Sequence, residues 1–371
     1  MKVSRRDWLR FGAMAGAGAS LVPGIGKATG QSVPSGTHRT EPQPKRDMGV
    51  DPGQSLPPEA TNGPWRNLRA VKEKKVFDVH CHPYGSPDQD PNVKHRTQDV
   101  GKWQDYTNEL IAAMDQYGVA QAALNSTYET YETVVKADAA PHLGRFVRTS
   151  GMPTDESKGK DLTPQMVAEI YQRHLEQDRC VLIGETSGDA WTSMLRQKKY
   201  TAKDLKPMAD VVMKFDVPVQ LHTGWSATVT RSSFARGGYQ TAWRWAEDIG
   251  AMLTEYPDIK FIMAHIGGEL ATPDGREAVR LAFSFDNAYV DTSKAPVEIV
   301  SEVVRGIGAE RVMFGSDWNR PQIMEYGPFH MRATHQYWYN LNTVANADLT
   351  EDQRDWILYK SARKLLKLPP V

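Results

Sequence analysis

The sequence predicts an α/β fold, a single (β/α)8 barrel of the TIM type with a metal site at the C-terminal ends of its strands. From Val76 onward, eight short apolar runs alternate with longer amphipathic segments. The alternation fills about 290 residues, which favours one closed parallel barrel over an open sheet. The third observation concerns the site. Four of the ten histidines fall at the C-terminal ends of predicted strands, the rim where such barrels carry their active sites.

The chain opens with Ser4-Arg5-Arg6-Asp7-Trp8-Leu9-Arg10, followed by a weakly apolar, Gly- and Ala-rich run from Phe11 to Val22, then Pro23. A charged head, an apolar middle and small residues near Ala28-Thr29-Gly30 are the parts of a signal peptide. The paired arginines resemble a twin-arginine export signal, which implies delivery to the bacterial periplasm or beyond and cleavage near Gly30. The run is too short and too rich in glycine for a stable membrane span, which needs about 20 apolar residues. Residues 31–70 are rich in Pro, Gly, Ser and charge without hydrophobic periodicity, and read as a linker or surface arm. The barrel occupies residues 71–371.

Its eight strands are predicted at Val76–His82, Val119–Asn125, Arg145–Gly151, Cys180–Thr186, Val217–His222, Ile259–His265, Ala288–Thr292 and Arg311–Asp317. Helices are predicted between them over Thr107–Tyr117, Pro164–Gln177, Asp204–Phe215, Thr241–Tyr256 and Val297–Gly306, with a last one over Glu351–Leu368. The composition, 40% hydrophobic and 24% charged, is that of a globular chain. Lys plus Arg equals Asp plus Glu at 45 each, yet beyond residue 31 there are 40 basic against 44 acidic residues. No basic stripe with interleaved aromatics appears, which argues against nucleic acid as a partner. Two cysteines, Cys81 and Cys180, are too few for a disulfide framework.

The first strand ends Phe77-Asp78-Val79-His80-Cys81-His82. Alternation along a strand places Asp78, His80 and His82 on one face and Phe77, Val79 and Cys81 on the other. Two imidazoles two residues apart can grip one ion from the same side; the plainer alternative is a pair of hydrogen-bonded core histidines. The other rims add Val219-Gln220-Leu221-His222, Met263-Ala264-His265 and Phe314-Gly315-Ser316-Asp317. Scattered core histidines would not favour one rim.

His80-x-His82, His222, His265 and Asp317 resemble, in order and strand position, the amidohydrolase superfamily. The surrounding phrases Val217–Gly224, Phe261–Gly268 and Val312–Asp317 are similar to its amidohydrolase-related branch, which includes lactonases, other hydrolases and non-oxidative decarboxylases. The closing Ser361-Ala362-Arg363-Lys364-Leu365-Leu366 is also similar, with Ser361 and Lys364 where that branch usually has Asn and Arg. The resemblance implies that His80, His82 and His222 are metal ligands. Asp317 is then a ligand that also takes the proton from the attacking water, and His265 a ligand or the neighbouring acid–base group. Imidazoles and a carboxylate suit one or two divalent ions, Zn²⁺ first. In Ile183-Gly184-Glu185-Thr186, the fourth strand ends on a glutamate. With Gly188-Asp189 it resembles TatD-like deoxyribonucleases, in which case Glu185 bridges two ions; otherwise Glu185 orients a histidine or pairs with a cation at the mouth.

Trp225, Arg231 and Arg320 lie in loops after the strands and are the candidate contacts for a small, carboxylate-bearing substrate. The leading expectation is hydrolysis of an amide, lactone or ester. Non-oxidative decarboxylation of an aromatic or enoic acid is the alternative, and a non-catalytic scaffold the third reading. Self-association into a homo-oligomer is compatible with all three.

Overall fold

Parallel pairing carries the chain round the barrel in sequence order. The strands are β1 (Val76–Cys81), β2 (Val119–Leu124), β3 (Phe146–Val147), β4 (Thr149–Ser150), β5 (Leu182–Ser187), β6 (Val219–His222), β7 (Phe261–Met263), β8 (Ala288–Asp291) and β9 (Val312–Met313). They form two ladders, β1-β2-β3 and β4-β5-β6-β7-β8-β9. The ladders meet at Arg148: its carbonyl accepts from Val181 N at 3.0 Å, while Thr149 Oγ1 donates to the Leu124 carbonyl at 2.5 Å. At the other seam, Val79 N donates to Phe314 O at 3.0 Å, Asp317 N to His80 O at 2.8 Å and His82 N to Trp318 O at 2.7 Å. The third predicted strand is thus two short pieces, each pairing with a different neighbour, and the eight staves close into a (β/α)8 barrel.

These observations come from a computed structural model, which describes residues 63–82, 110–125, 143–151, 162–187, 200–223, 244–266, 273–318, 324–326, 329–331 and 333–371. All of them belong to one unit, Ser55–Val371. The export signal, most of the proposed arm, and Trp225, Arg231 and Arg320 lie outside the described residues.

Strands buried on both faces must be apolar on both, and β1 is buried at every position. Its outward residues, such as Val76 and Cys81, join the large layer between strands and helices. Its inward residues Phe77 and Val79 meet Ala123, Leu182, Ile262 and Met313 in a separate apolar cluster. That cluster is the floor of the barrel. Ala362 and Leu366 seal it from below, at the end of a helical run made of Glu351–Asp355, a wider π turn over Trp356–Lys360, and Ser361–Leu365.

Local sequence explains the helix boundaries. Pro164–Gln177 starts at Thr163, whose hydroxyl accepts from Met166 N at 3.2 Å, with Pro164 at the first helical position. Lys206–Phe215 follows a 3-10 turn, Ala202–Leu205, that takes up the predicted start at Asp204. Arg244–Glu255 and Val297–Ile307 lie within a few residues of expectation. Two helices, Pro273–Ser284 and Ala333–Asn346, and the antiparallel pair β10 (Met324–Tyr326) and β11 (Phe329–Met331) were not foreseen.

Two further points correct the sequence reading. Residues 63–70, read as the end of the arm, are packed: Trp65, Leu68 and Ala70 are buried, and the Trp65 ring lies 4.8 Å from that of Tyr117. Asp78 does not share a face with the histidines. An irregularity in β1 between Asp78 and Cys81 breaks the alternation. Asp78 instead accepts from Ser316 Oγ at 2.6 Å and Tyr337 OH at 2.9 Å, and burial raises its pKa to about 6 against those hydrogen bonds. Cys81 and Cys180 are buried thiols that are not joined in a disulfide.

Candidate metal centre

Above the apolar floor, β1, β5, β6, β7 and β9 end on polar residues that converge. His80 Nε2 and His82 Nε2 are 3.1 Å apart, and both face Glu185 Oε2, at 3.2 and 3.1 Å. Asp317 Oδ1 lies 3.4 Å from His80 Nε2 and 3.5 Å from His82 Nε2. The other oxygen of the same glutamate, Oε1, faces His222 Nδ1 at 2.8 Å and His265 Nε2 at 3.4 Å. Glu185 therefore stands between two pairs of imidazoles, one oxygen toward each. Three groups of donor atoms lie within 4.8 Å of one another: His80, His82 and Glu185; His80, His265 and Asp317; Glu185, His222 and His265. The structure brings together all six residues named as ligands from the sequence.

The spacing of these atoms tests whether an ion fits. Four donors arranged tetrahedrally at about 2.0–2.1 Å from Zn²⁺ stand roughly 3.3 Å from one another. His80, His82 and Glu185 stand 3.1 to 3.2 Å from one another, close to that spacing, and Asp317 Oδ1 lies 3.4 and 3.5 Å from the two imidazole nitrogens. Imidazole nitrogens and carboxylate oxygens crowded to that distance without a cation repel unless protons intervene. The donor set fits a divalent ion.

Two residues of this mouth escaped the sequence reading. Lys294 is buried, with Nζ 2.6 Å from Asp317 Oδ2, so Asp317 shows one oxygen to an ammonium and the other to the imidazoles. Asp291, at the end of β8 and fully buried, accepts from His80 Nδ1 at 2.8 Å. Asp291 is the penultimate residue of the predicted seventh strand, and Lys294 stands two residues past its end. The rule that found the histidines, polar groups at the C-terminal end of a strand, would have found Asp291 as well.

Electrostatics follow from this crowding. Burial alone would raise the Glu185 pKa, but His80 and His222 outweigh it and hold the carboxyl well below the usual range. Burial is likewise overcome at Asp317, chiefly by Lys294 and His265, and its pKa is lowered. His80 is pushed well above its ordinary value because Glu185 and Asp291 overcome its burial; Glu185 does the same to His222. His265 goes the other way: burial and then Lys294 lower its pKa, leaving a neutral imidazole. The partial exposure of His82 and His222 makes them the open side of the group. His174 is buried with Nδ1 2.8 Å from Ser150 Oγ.

Comparison with known proteins bears on the same residues. A family model described as Amidohydrolase matches residues 77–368. Among solved structures, an uncharacterized TIM-barrel protein from Bordetella bronchiseptica is 15% identical with a TM-score of 0.55, covering 79% of this chain and 98% of its own. A 4-oxalomesaconate hydratase from Rhodopseudomonas palustris is 15% identical with a TM-score of 0.54, covering 79% and 95%. A 2,6-dihydroxybenzoate decarboxylase from Rhizobium is 18% identical with a TM-score of 0.50, covering 79% and 98%. At these identities the likeness concerns the fold. A search of curated proteins finds no match.

Proposed function

The chain belongs to the amidohydrolase family, and from that premise we propose that it is a metal-dependent hydrolase cleaving an amide, lactone or ester bond of a small, carboxylate-bearing substrate. One observation carries the reading: Glu185 directs one oxygen to His80 and His82 and the other to His222 and His265, the arrangement of a carboxylate joining two cation sites.

His80, His82, Glu185 and Asp317 would hold one ion; Glu185, His222 and His265 a second, with only three protein donors and therefore room for water or substrate. Zinc is the first choice for such donors. A bound ion of this kind acidifies water toward a pKa of about 7. The protein's own groups supply the rest. Asp317, kept ionised beside Lys294, would take the water's proton. The neutral His265 is suited to receive or return a proton at Nε2. Trp225, Arg231 and Arg320 are the proposed substrate contacts, the arginines for a carboxylate.

Metal content per chain tests the bridge. Wild type is expected to hold two ions and Glu185→Ala one; a single ion in both removes Glu185 from the bridging role. The second reading is non-oxidative decarboxylation. The same mouth serves it equally, with the substrate's oxygens on the ion and a proton delivered to carbon. Release of carbon dioxide from aromatic or enoic acids, without hydrolysis of esters, lactones or amides, would decide for it. Export through the twin-arginine route is part of the proposal, supported by Arg5-Arg6 and the run after it. Cell fractionation tests it, and a cytoplasmic pool unaffected by Arg5→Lys with Arg6→Lys would overturn it. Among the described residues, no helix is long and apolar enough to cross a membrane.

A further inference from the structure

Behind the ligands lies a buried hydrogen-bond chain whose direction can be traced proton by proton. Asn125 Nδ2 donates to Gln220 Oε1 at 2.7 Å, and Gln220 Nε2 donates to Asp291 Oδ2 at 2.9 Å. The same Oδ2 meets His80 Nδ1 at 2.8 Å. The other oxygen, Oδ1, accepts from the backbone N–H groups of His265 and Ser293, at 3.1 and 3.0 Å, and from the Ser293 hydroxyl at 2.5 Å. Ser293 Oγ in turn lies 2.8 Å from His265 Nδ1.

An ionised carboxylate only accepts, so the proton between Asp291 and His80 belongs to His80 Nδ1. Ser293 has one hydroxyl proton and spends it on Asp291. Its remaining lone pairs can only accept, so His265 Nδ1 also carries a proton. Both imidazoles are left with Nε2 facing the mouth, the nitrogen that lies 3.2 Å from Glu185 in His80 and 3.4 Å in His265.

We infer that Asp291 is a single positioning residue for both halves of the metal centre, acting directly on His80 and through Ser293 on His265. It fixes which nitrogen each ring offers to an ion. Five donors converge on this one buried side chain, from β1, from β6 and from the segment after β7 and after β8. One carboxylate with two oxygens is needed, since Oδ2 meets His80 while Oδ1 meets Ser293. An asparagine has a single acceptor oxygen and can keep one ring proton only by releasing the other. The consequence for metal uptake rests on the reading of the mouth as a metal centre; the assignment of the ring protons does not.

The test separates the two. Slowly exchanging imidazole Nδ1–H resonances of ¹⁵N-histidine-labelled, metal-free protein are recorded for wild type, Asp291→Asn, Ser293→Ala and Ser293→Thr. Wild type should show the His80 and His265 signals; Asp291→Asn should lose at least one, Ser293→Ala only that of His265, and Ser293→Thr should restore it. Zinc affinity is then measured by chelator competition. It should fall about 10–100-fold in Asp291→Asn, the usual cost of losing the partner behind a ligating histidine, and return to wild type in Ser293→Thr. Both resonances persisting in Asp291→Asn would overturn the inference. Should that variant not fold, an unchanged His265 signal in Ser293→Ala overturns it instead. A wild type with both signals that takes up no zinc leaves the assignment standing and removes the metal centre.

Discussion

The interior of this barrel holds two regions built from the same strands. The floor is Phe77, Val79, Ala123, Leu182, Ile262 and Met313, all fully buried and apolar. The mouth is His80, His82, Glu185, His222, His265 and Asp317, backed by Asp291 and Lys294, and most of these are also buried. Two or three residues separate Leu182 from Glu185, Ile262 from His265 and Met313 from Asp317, and Val79 directly precedes His80. Burial of the floor draws on the hydrophobic effect, at about 25 cal/mol per Å². Burial of the mouth costs free energy that only pairing or a cation offsets. One region keeps the barrel together, and the other is tolerated for its chemistry. That division can be broken experimentally.

The largest effect is expected at the mouth and on turnover. His80→Ala or Asp317→Ala should lower activity by roughly 10³-fold or more, since even the partner behind a ligating histidine is worth about 10–100-fold. The metal-free His80→Ala protein should melt near wild type, whereas Asp317→Ala, which strips buried Lys294 of that carboxylate, should melt lower. An active His80→Ala protein would end the catalytic reading, and one that fails to fold would show that the two regions are not separable.

At the floor the pattern should reverse. Phe77→Ala removes a ring with no exposure and should cost about 3–5 kcal/mol in denaturant unfolding. Its metal content per chain should not change. Loss of the ion together with stability would mean that the floor positions the ligands as well.

How much of each region was legible follows from the same contrast. The mouth announced itself through residue type: His80-x-His82, His222, His265 and Asp317 are chemically conspicuous at strand ends, so a rule about strand ends found them. Glu185 was found with two roles open, because sequence says nothing of which way a carboxylate turns. The eight staves were legible as apolar runs, but a two-residue period cannot reveal a bulge. That is why Asp78 was placed with the histidines although it bonds Ser316 and Tyr337 on the far side. Lys294 was missed because nothing marks a lone Lys until the fold brings Asp317 to it, while Asp291 lay within reach of the strand-end rule and was passed over. The break at Arg148 arises from pairing with different neighbours, which is a property of the closed sheet and of no local run.

Lys294 offers a finer test, because its charge belongs to the mouth while its burial resembles the floor. Lys294→Met leaves Asp317 Oδ2 without its ammonium and should destabilise the metal-free protein by about 3 kcal/mol, toward the lower end for a broken buried pair. Zinc should then restore more stability in the variant than in wild type, since a divalent ion can take over the neutralising role. Equal gains from zinc in both proteins would mean that Asp317 does not face the ion.

The smallest and most local effect should come at the border. Gly315 lies between Met313 of the floor and Asp317 of the mouth, and a methyl group there would stand 2.9 Å from His80 Cβ and 3.0 Å from Asp291 Cγ. Those two side chains are bonded to each other, so neither can retreat without stretching that bond. Gly315→Ala should therefore cost about 1–3 kcal/mol of stability, as overpacking does, and should also weaken zinc binding by shifting His80 away from Asp291. Stability lost with zinc affinity intact would place Gly315 wholly with the floor. Zinc affinity lost with stability intact would place it with the mouth. Loss of both is the outcome that a shared wall of packed atoms requires.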